Sequence, residues 1–232
     1  ADLAGADGRV LTNSSTVNLL DGLTERWSLA NLLASVNSPT RDLTNENSVT
    51  FETNLLAGLG NNANFVGASH QRLIDDSSVM FASGNATIMG WGYQETAGAD
   101  MVNWMQGTDG GNPSQGIWVP SSNEFKMSFN VFVTNEVYSI SPDTWYHWGM
   151  TFDGTTQKLS VNAVERDTGS PSGGGSYFGD CNTFGANSSS GLEGDGKACE
   201  TSGHSRVLSG DEIDASYNNG DGNAWPYILD AV

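Results

Sequence analysis

The sequence predicts an all-β chain: a two-sheet antiparallel β-sandwich closed by one short C-terminal helix. Three observations predict it. Residues 145–162, WYHWGMTFDGTTQKLSVN, alternate apolar and polar side chains on either side of a short polar link, which is the pattern of a β-hairpin. Residues 125–133 alternate in the same way, with Phe125, Met127, Phe129, Val131 and Val133 on one face and Lys126, Ser128 and Asn130 on the other. The chain of 232 residues has 29 Gly and only 16% charged residues, a composition that suits many short strands joined by turns and argues against a helical bundle.

In chain order, residues 1–20 are small and polar and read as an N-terminal arm, or as an edge strand around 17–20. One domain then occupies 21–232, with no internal repeat. Its first core strand begins at 26–29, followed by an Asp- and Asn-rich loop and strand over 41–51 and a strand and turn over 60–69. A strand over 86–93 places Ile88 on one side and Met89 and Trp91 on the other, so both of its faces are predicted to be covered. Strands follow at 101–106, 116–119 and 125–133.

In the hairpin, Tyr146, Trp148, Met150 and Phe152 share one side, and Leu159 and Val161 continue the apolar face after the link at 153–157. Residues 165–175 read as a Gly- and Ser-rich loop, a strand starts at 177–179, and a closing strand and turn cover 196–209. Ser209 and Glu212 form an S-x-x-E capping box, Leu208 and Ile213 are spaced as a hydrophobic staple, and Asn219-Gly220 supply a stop. Together they predict a short helix.

Charge excludes some functions. With 9 basic against 27 acidic residues, net −18, a phosphate backbone would be repelled and nucleic acid is not an expected partner. No apolar run reaches the roughly 18 residues of a membrane span. The first residues, ADLAGADGRV, lack the basic and apolar regions of a signal peptide. Either a leader has been removed, or the protein leaves the cell by another route, as a virion component does at lysis. The two cysteines, Cys181 and Cys199, lie in what read as consecutive strands around a Gly/Ser/Asn-rich loop. They are either one disulfide across a hairpin or two separate thiols, and spacing does not choose between them.

Four segments besides the hairpin carry a family pattern. The hairpin reads W-x-H-x-x-x-T-F-D-G at Trp145, His147, Thr151, Phe152, Asp153 and Gly154, then Leu159, Val161 and Asn162. The others are the loop and strand at 41–51, the strand and turn at 60–69, the strand at 86–93 and the closing segment at 196–209, all in the same order. Over roughly residues 20–222 the chain resembles the laminin G-like and pentraxin-like branch of the concanavalin A-like jelly rolls, of the kind found in phage structural proteins. The resemblance implies a jelly-roll sandwich. It also implies a structural calcium ion against the Asp-rich loop, with Asp42, Asn45 and Asn47 as ligands and Glu200 as a partner from the closing strand. The pattern departs at Cys199, where Asp is usual and a thiol is a poor calcium ligand, and at His204, where an aromatic residue is usual.

Candidate chemistry is sparse. Glu212-Ile213-Asp214 resembles part of the E-x-D-x-x-E strand of laminarinase-type hydrolases, but the third carboxylate position is Ser216 or Tyr217 and the triplet falls inside the predicted helix. His70, His147 and His204 are far apart and adjoin no nucleophile elbow. His147 reads as structural, His204 as a packed polar residue, and His70, beside a turn, as a ligand-facing candidate. Trp104, Trp118 and Trp225 lie near loops or ends. They are candidates for a sugar-stacking platform, against the alternative that each plugs the core.

The expectation is therefore a non-enzymatic virion surface protein, a capsid decoration or tail appendage, located on the virion surface. Its expected partners are other virion proteins or cell-surface glycans, with homo-oligomers allowed. The alternative is a secreted, extracellular carbohydrate-binding lectin, with or without calcium as a cofactor; a glycoside hydrolase is the third reading.

Overall fold

In a computed structural model the alternating segments become two eight-stranded antiparallel sheets. The structure describes residues 3–4, 10–11, 19, 21–29, 42–53, 59–76, 84–107, 113–129, 132–133, 138–170, 181–186 and 193–222. In chain order the strands are β1 (Leu3–Ala4), β2 (Val10–Leu11), β3 (Leu23–Trp27), β4 (Thr44–Glu46), β5 (Thr50–Thr53) and β6 (Asn61–Phe65). They continue with β7 (Arg72–Asp75), β8 (Ala86–Gln94), β9 (Met101–Gly107), β10 (Pro113–Val119), β11 (Glu124–Phe129) and β12 (Phe132–Val133). The last are β13 (Tyr138–Ser139), β14 (Trp145–Phe152), β15 (Gln157–Val161), β16 (Val164–Gly169), β17 (Cys181–Gly185) and β18 (Gly196–His204), followed by helix α1 (Gly210–Tyr217).

Sheet I runs β16-β15-β14-β8-β18-β6-β5, with β3 also paired to β18. Sheet II runs β12-β11-β10-β9-β17-β7-β4, with β13 on β11. The fold is the predicted jelly-roll sandwich with one short C-terminal helix. The 145–162 hairpin forms as β14 and β15, from Trp148 opposite Val161 to Phe152 opposite Gln157. Its link is tightened by Asp153, whose Oδ1 accepts from the backbone N–H of Thr155 and Thr156 at 2.9 and 2.7 Å, an Asx turn.

Period-2 patterning decides which side chains meet between the sheets. Tyr146, Trp148, Met150, Phe152, Leu159 and Val161 of sheet I pack in one cluster with Trp104, Ile117, Phe125, Met127 and Phe184 of sheet II. Among the described residues three edge-on aromatic contacts cross the gap: Trp27 on Phe184 at 5.5 Å, Phe125 on Tyr146 at 5.9 Å and Tyr138 on Tyr146 at 6.1 Å between ring centroids. Such contacts add roughly 0.5–1.5 kcal/mol each beyond area burial.

The other face of β8 and β14 is buried as well. Met89 packs with Leu208 and Ile213 at α1 and with Leu19, while Trp91 packs with Leu59 and Cys199, with Tyr217 of α1 against them. The hairpin is thus covered on both sides, which single-face alternation did not require. The capping box is present, with Glu212 N–H donating to Ser209 Oγ at 3.3 Å and Ser209 N–H to Glu212 Oε2 at 2.9 Å. Leu208 and Ile213 meet in one cluster as the staple predicts, and the helix stops at Asn218 in the left-handed region.

Five expectations need correction or placement. The loop expected over 165–175 is strand β16 as far as Gly169, a largely polar edge strand with no apolar alternation to reveal it, and the strand expected at 177–179 lies outside the described residues. The predicted single strand 125–133 is two: Ser128 pairs with Val133 and Phe129 with Phe132 in an antiparallel ladder. Alternation reads the same along one strand and along two hairpin arms, so periodicity alone does not reveal the reversal. Cys181 and Cys199 do not share a hairpin either. β17 lies between β9 and β7 in sheet II, and β18 pairs with β8, β6 and β3 in sheet I. The chain changes sheets between them, and both are buried thiols with no disulfide. In the arm, β1 pairs with β2. Of the predicted edge strand at 17–20, only Leu19 is among the described residues.

Close packing between neighbouring strands of sheet I makes Gly90 a sensitive position. A Cβ there would lie 2.7 Å from Trp148 Cζ2 and 2.7 Å from Thr201 Oγ1. Gly90→Ala is expected to lower the stability measured by urea unfolding by about 1–3 kcal/mol, the range for overpacking a dense core. An unchanged unfolding midpoint would contradict the packing described.

Candidate functional site

The outer face of sheet I holds a row of polar and aromatic side chains placed by strand register. On it, His147 stands opposite Trp91, which stands opposite Cys199. His147 is fully buried, its ring 5.2 Å from Trp91 and 6.0 Å from Tyr217 between centroids. Its Nε2 is 3.3 Å from Ser216 Oγ in α1, and its Nδ1 has no hydrogen-bond partner. Loss of hydration holds the imidazole pKa down at about 3. A neutral ring sealed beneath a helix, with no carboxylate at Nδ1, lacks the third group of a nucleophilic triad. His204 is also buried, with Nε2 3.3 Å from Ser202 Oγ. Burial, with the nearby Arg206 charge, holds its pKa at about 4.

The Glu212-Ile213-Asp214 triplet lies in α1, as the cap predicted. Glu212 is buried, and its two carboxylate oxygens accept from Arg206 Nη1 and Nη2 at 2.8 and 2.6 Å. Arg206 Nε also donates to the carbonyl of Asp21 at 2.8 Å. The carboxylate is held by a forked pair and by the cap, while Ile213 turns into the sheet and Asp214 stays exposed.

The residues named for calcium have other engagements. Asn45 closes its own turn, donating to the carbonyl of Val49 and accepting from the Val49 N–H, at 2.9 and 2.8 Å. Asn47, at φ 60°, donates to the carbonyl of His70 at 2.8 Å. Glu200 is ion-paired with Arg26, and Asp42 is exposed. Cys199 faces the Trp91 cluster. A carboxylate already paired with a guanidinium and amides already spent on turns do not fit a hard cation. Among the described residues no three His, Cys, Asp or Glu side chains group as a metal site.

Of the predicted aromatic platform, Trp104 is core: it is fully buried and its Nε1 donates to Asn182 Oδ1 at 3.3 Å. Trp118 is half-buried on β10, with Val102 and Lys126 opposite it on the flanking strands. Trp225 lies outside the described residues. His70 is exposed, and its Nδ1 is 2.9 Å from Glu193 Oε1. Burial in the core therefore removes Trp104 from the predicted platform.

The feature that sequence reasoning missed is a second aromatic pair. Register sets Trp145 opposite Tyr93, and Tyr93 opposite Lys197, one row beyond His147 and Trp91. The Tyr93 and Trp145 rings are 5.3 Å apart at 50°, both half-buried, and Lys197 Nζ lies 5.0 Å above the Tyr93 ring. Alternation along 86–94 put Tyr93 on the face of Trp91. Only the pairing of β8 with β14 brings it to Trp145.

A laminin G family model, described as the concanavalin A-like lectin/glucanases superfamily, matches residues 65–214. The chain belongs to that superfamily. A sequence comparison with curated proteins gives no match. Among solved structures, domain 4 of AbnA, a GH43 extracellular arabinanase from Geobacillus stearothermophilus in complex with arabinotriose, is similar. Its TM-score is 0.66 at 13% identity, over 83% of this chain and 96% of that domain. The binding domain of botulinum neurotoxin DC in complex with SialylT has a TM-score of 0.61 at 11% identity, over 85% of this chain and 51% of its own length. A Trypanosoma rangeli sialidase complex also scores 0.61, at 13% identity, over 88% of this chain and 34% of that one. The chain thus spans nearly all of the first, about half of the second and about a third of the third.

The histidines give a testable pH dependence. Their folded pKa values, about 3 for His147 and about 4 for His204, lie below the unfolded value near 6.5. The unfolded chain therefore takes up protons that the folded chain refuses, and stability falls as pH drops below about 6.5. Between pH 7 and 5 each histidine is expected to remove about 2 kcal/mol. The check is urea unfolding at both pH values: His147→Gln should show a shallower pH dependence than the unaltered chain, whatever its stability at pH 7.

Proposed function

We propose that the chain is a non-catalytic recognition module that binds carbohydrate. The observation that carries this reading is the division of labour among its side chains. The carboxylate best placed by motif for hydrolysis, Glu212, is committed to Arg206 and a helix cap. Aromatic rings beyond the needs of the core stand half-buried on the outer faces of the sheets. The end-to-end likeness to an arabinanase domain in complex with arabinotriose supports the same reading. The sequence-level setting, display on a virion surface or in the extracellular space, belongs to this proposal. It is supported by the acidic surface and the family resemblance.

A glycan array tests the module. The unaltered chain is expected to bind a defined set of oligosaccharides saturably, without releasing cleaved sugar. Binding should persist in EDTA, because Glu200 and Asn45 are already engaged. Hydrolysis of any bound glycan that disappears in Glu212→Gln would overturn the non-catalytic reading.

Attachment through the arm has its own test. Leu19 packs on Met89, Leu208 and Ile213, so truncation should stop short of it. Deleting residues 1–16 is expected to leave the domain folded and to release it from particles of its native source. Deleting 1–20 should in addition lower stability by about 2–5 kcal/mol through loss of a buried leucine. Undiminished particle attachment after the shorter deletion would remove the arm from the proposal.

A further inference from the structure

We infer that the glycan site is the Tyr93–Trp145 pair on the outer face of sheet I, and that it selects uncharged sugars over anionic ones. This rests on the reading of the chain as a carbohydrate-binding module, and it moves the site away from the tryptophans that sequence position suggested.

The strand ladders build the site. β14, β8 and β18 are adjacent, and their register sets Trp145, Tyr93 and Lys197 in one transverse row. The preceding row, His147, Trp91 and Cys199, lies beneath α1, where Tyr217 stacks on Trp91 at 5.8 Å. The helix ends at Tyr217, and the next row is left half-buried. One side of Trp145 packs against the Leu59–Trp91–Cys199 cluster, which fixes its ring. Two fixed rings meeting at 50° offer a shallow angled surface on which the C–H face of a sugar ring can rest. Rigid aromatic side chains supply such area at low entropic cost.

Polar groups frame the rings. Tyr93 Oη donates to Asp143 Oδ1 at 3.1 Å, and that hydrogen bond leaves acceptor capacity on the carboxylate for a sugar hydroxyl. Asp143 is held at φ 58°, and its N–H donates to the carbonyl of Gln94 at 2.9 Å. Lys197 is ion-paired to Glu52 and stands over the Tyr93 ring. Glu95 follows in the chain and is exposed.

Glu52, Glu95 and Asp143 thus lie about the rings together with Lys197, whose charge Glu52 already neutralises. The field is negative, on a chain of net charge −18. Acceptors suit the hydroxyls of an uncharged sugar, whereas a carboxylated or sulfated sugar would meet like charge. Burial and the neighbouring Asp143 carboxylate push the Tyr93 phenol pKa up, so Tyr93 stays a neutral donor at physiological pH.

The experiment titrates arabino-, xylo- and cello-oligosaccharides as neutral probes and sialyllactose as the anionic probe. It uses the unaltered chain, Trp145→Ala, Tyr93→Phe and Trp118→Ala, with urea midpoints recorded for each. Expected are binding of at least one neutral probe and none of sialyllactose, and a loss of about ten-fold or more in Trp145→Ala. Tyr93→Phe, which keeps the ring and removes only the hydroxyl, should lose about three- to ten-fold with an unchanged midpoint. Trp118→Ala should bind normally. Full affinity in both Trp145→Ala and Tyr93→Phe, or loss confined to Trp118→Ala, would overturn the site and leave the module reading intact. Sialyllactose bound as well as the neutral probes would overturn the charge selection. Absence of binding to every probe would overturn the module reading and this site with it.

Discussion

The pairing of β8 with β14 is the constraint on which the other parts of the structure depend. Eight residue pairs, from Trp145 opposite Tyr93 to Phe152 opposite Ala86, put two strands with large side chains on both faces at the middle of sheet I. One face supplies Ile88, Trp148, Met150 and Phe152 to the gap between the sheets. The other supplies Met89, Trp91 and His147 to the layer under α1. A slip of one residue would exchange these sets, burying His147 against sheet II and removing the seat of the helix.

Small residues make that double burial possible. Gly90 leaves space for Trp148 and Thr201, and Gly149 for Ser160 on the helix side. The added layer explains why an eight-residue helix, too short to be stable alone, is held so firmly at its start. Ser209 caps it, Arg206 grips Glu212, and Leu208 and Ile213 anchor it to Met89 and Leu19. The same layer removes water from His147, and burial beside Arg206 does so for His204, so two imidazoles that would titrate near neutrality in an unfolded chain stay uncharged. Structural cover and acid sensitivity thus have one cause.

Surface chemistry follows from where the cover stops. α1 ends over Trp91, and one row further Tyr93 and Trp145 lie beside carboxylates and a paired lysine. The carboxylates that family resemblance offered for a cation or for hydrolysis are instead used internally, Glu200 by Arg26 and Glu212 by Arg206. Each charge in these pairs is satisfied by a fixed partner, which costs less than holding an unpaired charge in a half-buried position. The Tyr93 and Trp145 rings stay half-buried beyond the end of the helix.

Most of the elements were legible in local sequence. Alternation fixed the strands and the face that each presents, S-x-x-E with Asn-Gly fixed the helix and its ends, and 27 acidic against 9 basic residues fixed the sign of the surface. These properties are local or additive, so a window of a few residues contains their cause. Long-range packing settled that Phe132 and Val133 fold back on β11, that Cys181 and Cys199 belong to different sheets, and that Glu200 meets Arg26. It also brought Tyr93 and Trp145 together across two paired strands and buried Trp104 in the core. Such choices rest on which strands pair across long stretches of chain and on how much of each face a neighbouring layer covers, and no local pattern carries that information.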